Sequence, residues 1–374
     1  MVLYYNVAQP QNIKDSYQPF DQIDFLVKIP AGREIEQNSF RISGTLKATV
    51  VSNGGTNPST QPRPVTADDA VFFNQYAGVH SCFRSFTTSV SDRTIENIAY
   101  YPRWVVMKSQ AYDTQIDFCS NSETITELKG LGIQNIIAGT AGTNNQTDGR
   151  GVSFSFKPTI AINKSDQNLS QTKFPQIRIM GQLASVYEAL YTTIPTVTTS
   201  ISYTISDLQL SWYEHNQQYD GEVVLNTCYL NKQSIVSNHT NLNIFCPNVY
   251  DAISISFISQ ANINNIATDN NACYLIPQIN RVEFMLNGQN APMVYPLTSY
   301  QDYVLNYKKS LMAKDGNSFN KGLLSLGQVF GIGCLFNTSI NDKIGVVLDI
   351  DDSLVTINND PYDAFIYVNG YVTM

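Results

Sequence analysis

Side chains that could bind a metal or perform acid–base chemistry are sparse in this chain of 374 residues. The three histidines, His80, His215 and His239, lie far apart and fit no His-Glu-x-x-His arrangement, so we interpret each as a structural or surface residue. Residues 349–352 (Asp-Ile-Asp-Asp) follow an alternating strand and could offer two carboxylates on one face to a divalent cation. No further ligand cluster accompanies them, which favours an acidic strand end entering a turn.

Other patterns that could carry chemistry are equally incomplete. Gly327, Gly331 and Gly333 have the spacing of a phosphate loop, but no strand-turn-helix unit follows, and residues 329–336 are more typical of a strand packed closely on its neighbour. No Ser, Cys or Asp has a recognisable activating base nearby in sequence. The aromatic pairs 4–5, 72–73 and 100–101 could stack sugars or bases, but core and subunit contacts are the favoured interpretation. We therefore predict a non-enzymatic protein with no catalytic residues, metal or cofactor.

Charge and cysteine content narrow the class further. The chain has 23 basic and 31 acidic residues, only 14% of its residues are charged, and Lys14 is the one base among the first 20. Without a basic cluster, nucleic acid is not expected as a direct ligand. No signal peptide or membrane span is evident, so we expect a soluble protein made in the cytosol. The cysteines form no Cys-x-x-Cys pair and are predicted to be buried free thiols: Cys82, Cys119, Cys228, Cys246, Cys273 and Cys334.

Alternation of apolar and polar residues is the commonest pattern and predicts strands throughout the chain. Residues 201–205 and 208–212 alternate in opposite phases, which predicts one long strand with a bulge at Ser206 and Asp207. The other clear alternating segments are residues 23–29, 40–50, 152–156, 242–246, 253–257 and 346–350.

Two predicted helices expose a weak internal repeat. Ser299 can cap a helix with apolar residues from Tyr300 to Leu311, and a second helix is expected after Tyr101 and Pro102. Each follows a strand and a turn, residues 83–93 in one copy and 279–288 in the other, and each copy ends in an apolar strand, at residues 201–212 and 364–372. We predict two domains: residues 1–216, an N-terminal tail and first domain, and residues 217–374, the second.

The fold class expected from this organisation is all-β: two tandem antiparallel jelly-roll β-sandwiches with a short helix in one connection of each. Four segments carry a resemblance to the double jelly-roll major capsid proteins of tailless icosahedral viruses, a lineage that includes adenovirus hexon and the capsid proteins of internal-membrane phages and virophages. These segments are residues 40–46 (FRISGTL), 95–101 (IENIAYY), 205–212 (ISDLQLSW) and 279–288 (INRVEFMLNG).

The resemblance implies a structural virion protein, a major capsid subunit whose homotrimers form pseudo-hexagonal tiles in an icosahedral shell. Its implied partners are neighbouring trimers, minor capsid proteins and an internal viral membrane reached through the N-terminal region, but no nucleic acid. The implied location is the virion, after synthesis in the host cytoplasm. A minor capsid or penton-like subunit and a carbohydrate-binding β-sandwich protein remain alternatives.

The first 20 residues show no strand periodicity in this interpretation. Deletion of residues 1–20 is therefore expected to leave the fold intact and to impair assembly.

Overall fold

The structure is a computed structural model. It describes residues 3–54, 58–112, 126–129, 151–217, 220–245, 249–273, 275–276, 279–311, 331–339, 341–351 and 361–374.

Strands dominate the described chain. Those of the first half are β1 (Leu3–Ala8), β2 (Gln22–Lys28), β3 (Glu34–Ile35), β4 (Arg41–Ser52), β5 (Ser59–Pro64), β6 (Val71–Phe72), β7 (Phe83–Val90), β8 (Arg93–Ala99), β9 (Val152–Phe156), β10 (Leu169–Ser170), β11 (Gln176–Leu183), β12 (Tyr191–Thr192) and β13 (Thr198–His215). Those of the second half are β14 (Val224–Ile235), β15 (His239–Phe245), β16 (Tyr250–Ser259), β17 (Ile279–Leu286), β18 (Gln289–Asn290), β19 (Ile332–Leu335), β20 (Lys343–Ile350) and β21 (Tyr362–Thr373). The helices are α1 (Tyr101–Tyr112), α2 (Val186–Ala189) and α3 (Tyr300–Leu311).

The second half forms a sandwich in which the chain wraps between two four-stranded arrays. One array has the order β19-β16-β21-β14 and the other β15-β20-β17-β18, with antiparallel pairing throughout. The last strand, β21, returns between the first and third strands, β14 and β16. This is the wrapping of a jelly roll.

The first half repeats this pattern strand for strand. Antiparallel pairing joins β9-β4-β13-β1 in one array and β2-β11-β7-β8 in the other. The strands β1, β2, β4, β7, β8, β9, β11 and β13 therefore correspond in order to β14 to β21, and α1 follows β8 as α3 follows β18. Strands β3, β5 and β10 extend the first array at its margins.

One eight-stranded sheet is shared by the two sandwiches. Its order is β19-β16-β21-β14-β8-β7-β11-β2, and the two halves meet where β14 runs parallel to β8. Two apolar clusters fill the sandwiches. The larger one fills the first sandwich and extends along the shared sheet to Phe365 and Tyr367 of β21, so the two sandwiches are packed against each other through a common core.

The structure confirms the predicted strands that lie within the described residues. The long strand with two phases is β13, and its pairing with β4 shifts register between Ser206 and Gln209. Asp207 in this bulge has a φ of 55°, a left-handed conformation that Asp tolerates better than branched residues. Both predicted helices are present, and the hydroxyl of Ser299 accepts from the N–H of Asp302 at 3.2 Å at the start of α3.

The predicted N-terminal tail was wrong. Residues Leu3 to Ala8 form β1, which pairs along the edge of β13, and Tyr17 is buried and bridges to Ile205 farther along the same edge. The exposed face of β1 carries Leu3, Tyr5 and Val7, whereas the half-buried face carries Tyr4, Asn6 and Ala8, so the apolar residues do not alternate with polar ones. The sequence of β1 therefore shows no strand pattern. In the repeat, β1 is the counterpart of β14.

Among the described residues, no helix combines the length and the apolar character needed to cross a membrane.

Candidate functional site: the junction of the two sandwiches

The three histidines lie on separate elements and do not converge. His80 is buried, with Nδ1 2.8 Å from the hydroxyl of Tyr101, and burial lowers its pKa. His215 ends β13, with Nε2 3.8 Å from a carboxylate oxygen of Glu36. Within the described residues, no group of three or more His, Cys, Asp or Glu is placed to hold a metal ion.

Asp349, the first residue of the acidic segment 349–352, is paired with side chains on the neighbouring strands. Asp349 contacts Nδ1 of His239 on β15, and its other oxygen lies 3.7 Å from a guanidinium nitrogen of Arg281 on β17. The two partners lie on the two strands that flank β20, so the carboxylate belongs to a cross-strand polar cluster. Asp352 lies outside the described residues.

The described part of the glycine-rich segment, residues 331–336, contains the close-packed strand β19, as predicted in preference to a phosphate loop. A Cβ at Gly331 would overlap the carbonyl oxygen of Ile255, and one at Gly333 would overlap the hydroxyl of Ser310. The glycines allow β19 to lie between β16 and α3. Gly327 is outside the described residues.

The aromatic pairs divide between core and surface. Phe73 and Tyr101 are buried, and Phe72 stacks on Tyr191 at 5.7 Å between ring centroids. Tyr5 is exposed on β1 and lies 5.5 Å from Tyr213 of β13. The described cysteines are buried free thiols, as predicted: Cys82, Cys228, Cys273 and Cys334. Cys119 and Cys246 lie outside the described residues.

A buried carboxylate on β8 marks the junction between the sandwiches. Glu96 accepts hydrogen bonds from the N–H groups of Ala161 and Cys228, both at 2.7 Å, and Cys228 belongs to β14 of the second sandwich. The ammonium of Lys164 is 3.8 Å away. Burial raises the pKa of Glu96, and these three contacts oppose that rise. Glu96 therefore joins the backbones of the two sandwiches across their shared sheet.

Helix α1 provides the second part of the junction. The buried guanidinium of Arg103 donates to the carbonyl oxygens of Asn270 and Ala272 and lies over the ring of Phe365, 4.2 Å from its centroid. Trp104 is fully buried and stacks on Tyr367 of β21 at 5.3 Å. A helix of the first sandwich thus packs against β21 of the second, on the side of β21 that belongs to the larger apolar cluster.

The two repeated helices also meet at their C-terminal ends. Lys108 of α1 donates to the carbonyl oxygen of Leu311, the last residue of α3. A cation at the end of a helix satisfies an open carbonyl and interacts favourably with the helix dipole. Together with Glu96 and Arg103, this contact fixes the relative position of the two sandwiches.

A cleft of about 220 Å³ opens beside this junction. Its walls include the cations Arg84 and Lys232. The guanidinium of Arg84 lies 3.6 Å from a carboxylate oxygen of Glu188, and the ammonium of Lys232 lies 2.6 Å from a carboxylate oxygen of Asp363. The charges of both cations are thereby offset. The described residues that line the cleft include no nucleophile, no metal-binding cluster and no catalytic pair of carboxylates.

Sequence reasoning missed Glu96, Arg103 and Lys108 as junction residues, because no local spacing shows that a charged side chain will be buried by a distant segment. It also missed α2, for which a signal was present. Ser185 accepts from the N–H of Glu188 at 3.2 Å, and the carboxylate of Glu188 accepts from the N–H of Ser185 at 3.1 Å, a capping box of the form S-x-x-E.

Comparison with known proteins gives structural matches alone. No protein-family model and no curated protein sequence matches the chain. The major capsid protein of Faustovirus has a TM-score of 0.62 and 8% identity, with 100% of this chain and 90% of that chain covered. A chain from the structure of the Sputnik virophage has a TM-score of 0.56 and 11% identity, covering 100% and 86%. A chain of the PBCV-1 virus capsid has a TM-score of 0.54 and 9% identity, covering 100% and 94%. The fold is therefore that of double jelly-roll capsid proteins, over the full length of the chain.

Proposed function

We propose that this protein is a major capsid subunit of an icosahedral virus, with a structural and non-enzymatic role. The observation that carries the proposal is the tandem arrangement itself: two sandwiches of matching topology, joined in one chain, superpose along their full length on the Faustovirus major capsid protein. A likeness confined to one sandwich would carry far less weight, because single jelly rolls serve many functions.

The packing between the sandwiches supports this role. A capsid subunit must be rigid, because its contacts with neighbouring subunits depend on a fixed arrangement of its two sandwiches. The junction joins the sandwiches by a common core, a shared sheet and buried charged contacts. Domains joined by small polar contacts would move relative to one another. The low charge content of 14% also suits surfaces that meet copies of the same chain.

The finer features of the proposal follow from the resemblance and from symmetry. The subunit forms a homotrimer in which six sandwiches make a pseudo-hexagonal tile, and trimers contact one another and minor capsid proteins in the virion. The protein is made in the host cytoplasm, does not bind nucleic acid directly, and contacts an internal membrane through its N-terminal region. In this assembly β1 belongs to the first sandwich, so membrane contact is made by the face of that sandwich and not by a free tail.

We also propose that the two domains divide between residues 216 and 217. The end of β13 at His215 and the start of β14 at Val224 support this position, since these strands are the last of one repeat and the first of the next.

The native mass of the purified protein, measured by light scattering, tests the proposal. The expected result is a stable trimer of three times the chain mass of 41.7 kDa. A pentamer would indicate a vertex subunit, and a monomer at assembly concentrations would contradict the major capsid role.

A further inference from the structure

Because the two sandwiches repeat the same topology, each strand of the junction between them has a counterpart in the other sandwich, and both counterparts are edge strands. In that junction β8, of the first sandwich, lies beside β14, of the second. The counterpart of β8 is β18, and the counterpart of β14 is β1. Among the described residues, no strand pairs with the outer edge of β18 or with the outer edge of β1.

Strand β1 has none of the devices that usually protect a sheet edge. It carries no charge, no proline and no bulge, and it is paired with β13 over its whole length. Its outward face presents Leu3, Tyr5 and Val7, which are 52%, 62% and 46% exposed, beside Tyr213 of β13. We call these four residues the β1 patch. An open and apolar edge of this kind is a template for pairing with another chain.

The edge of β18 carries a matching apolar projection. Asn290 and Leu297 both pair with β17, at Met285 and Val282. The intervening segment 291–296 is anchored at its start by the N–H of Ala291, which donates to the carbonyl oxygen of Phe284, and then leaves the edge and returns to it. These residues, APMVYP, carry no charge, and Val294 and Tyr295 are 71% and 82% exposed. We call residues 291–296 the edge loop. Tyr supplies a large, rigid and amphipathic contact area of the kind enriched in interfaces.

The helices show the same asymmetry between the copies. In the internal junction, α1 packs into the second sandwich through Arg103 and Trp104. Its counterpart α3 leaves Tyr300 and Leu305 exposed, next in sequence to the edge loop. The side of the second sandwich that corresponds to the internal junction therefore leaves apolar side chains of α3 and the edge loop uncovered by the described residues.

We propose that the edge loop and β18 of one copy dock on the β1 patch of a second copy, repeating between chains the contact that β8 and β14 make within one chain. This inference rests on the proposed capsid function and assigns the surface that joins subunits in the trimer. The contact is head to tail, since each chain offers one edge of each type. A head-to-tail contact builds a closed ring when its rotation closes.

Charge substitutions at the two edges test the contact. Tyr5→Lys and Tyr295→Glu each place a charge in the apolar interface and are expected to weaken trimer formation about tenfold or more, as for a buried aromatic contact. The combined variant, with both changes in one chain, brings opposite charges together and is expected to recover most of the loss. Phe245→Glu is the control, because Phe245 is 56% exposed on β15, at the opposite edge of the array that contains β18.

Disulfide trapping gives a second measurement that does not depend on charge. Val7→Cys and Val294→Cys in one chain, oxidised in the trimer, are expected to give cross-linked dimers and trimers on a denaturing gel, whereas either cysteine alone gives neither. Sedimentation velocity measures the trimer fraction of each charge variant, and circular dichroism checks its fold.

The outcomes separate the contact from the function. If the wild type is a trimer and both charge variants remain fully trimeric, this interface is wrong and the capsid function stands. Cross-linking by Val7→Cys alone, stopping at dimers, would also overturn it by showing two β1 edges together. A monomeric wild type would contradict both the interface and the proposed function.

Discussion

Asp69 joins neighbouring segments of the first sandwich through a buried carboxylate. Arg63 donates to both carboxylate oxygens, at 2.7 and 2.8 Å, and the N–H of Thr66 donates at 2.7 Å. Burial raises the pKa of Asp69, but the hydrogen bonds from Arg63 and Thr66 outweigh it and bring the pKa below its usual value. Asp69 is therefore charged and paired at neutral pH.

We predict that Asp69→Asn lowers the free energy of unfolding by about 2 kcal/mol at pH 7, because the amide cannot accept both bonds from Arg63. The pKa of Asp69 is lower in the folded state, so its stabilising contribution is present above the unfolded pKa of ~3.9 and is lost as the pH falls through the folded value. Urea unfolding at pH 7 and pH 3 should show a smaller difference at pH 3. Asp68→Asn, at the exposed neighbouring carboxylate, is the control, and an equal loss there would contradict the prediction.

Gly331 and Gly345 test the close packing of β19. We predict that Gly331→Ala lowers the free energy of unfolding by about 2 kcal/mol, since its Cβ would overlap the carbonyl of Ile255. The same change at Gly345 leaves the nearest atom at 3.5 Å and should cost less than about 0.5 kcal/mol. Thermal unfolding of both variants measures the difference, and equal stability of the two would show that β19 is not packed so closely.

Individual buried charges were the least predictable features of the sequence. Nothing local to Arg103 shows that its guanidinium lies over Phe365, a contact across more than 250 residues of chain. The pattern around Gly331 was predictable, because glycines in an apolar strand indicate close backbone approach. Short-range chemistry could thus be inferred from residue types, and long-range pairing could not.

At the scale of elements, alternation and capping predicted several of the longer strands and both long helices, whereas β11 was not predicted. Ser299 and the apolar spacing after it placed α3, and opposite phases on either side of Asp207 placed the bulge of β13. The repeat of strand, turn and helix could also be seen in the sequence. Its clearest marker was the turn at Asn287 and Gly288. Strand β1 was missed because its exposed face is apolar and its half-buried face includes Asn6, which is the reverse of the usual alternation.

The N-terminal strand makes an element-scale prediction that reverses the one drawn from sequence. Deletion of residues 1–20 removes β1 and the buried Tyr17, and it exposes the edge of β13 from Ile205 to His215. We expect a lower midpoint of thermal unfolding and aggregation of the truncated protein. Differential scanning fluorimetry and light scattering measure both, with Ile13→Ser, at an exposed side chain, as the control. An unchanged midpoint after truncation would show that β1 adds nothing to the fold.

We predict that the junction makes the two sandwiches unfold as one cooperative unit. The shared sheet, the common core and the contacts of Arg103 and Trp104 should make both sandwiches unfold together in one calorimetric transition. Trp104→Ala is expected to cost about 3–5 kcal/mol and to split this transition into two. Trp212→Ala, which removes the other tryptophan from the core of the first sandwich alone, should lower stability without the same splitting. Two separate transitions in the wild type would contradict a rigid junction.

The arrangement of six sandwiches around a threefold axis is the central claim at the scale of the assembly. It is tested most directly by cryo-electron microscopy of the purified native oligomer, with class averages viewed along the symmetry axis. The proposed capsid function predicts six lobes in a pseudo-hexagonal ring, two from each of three chains. Isolated pairs of lobes, or rings with fivefold symmetry, would contradict it.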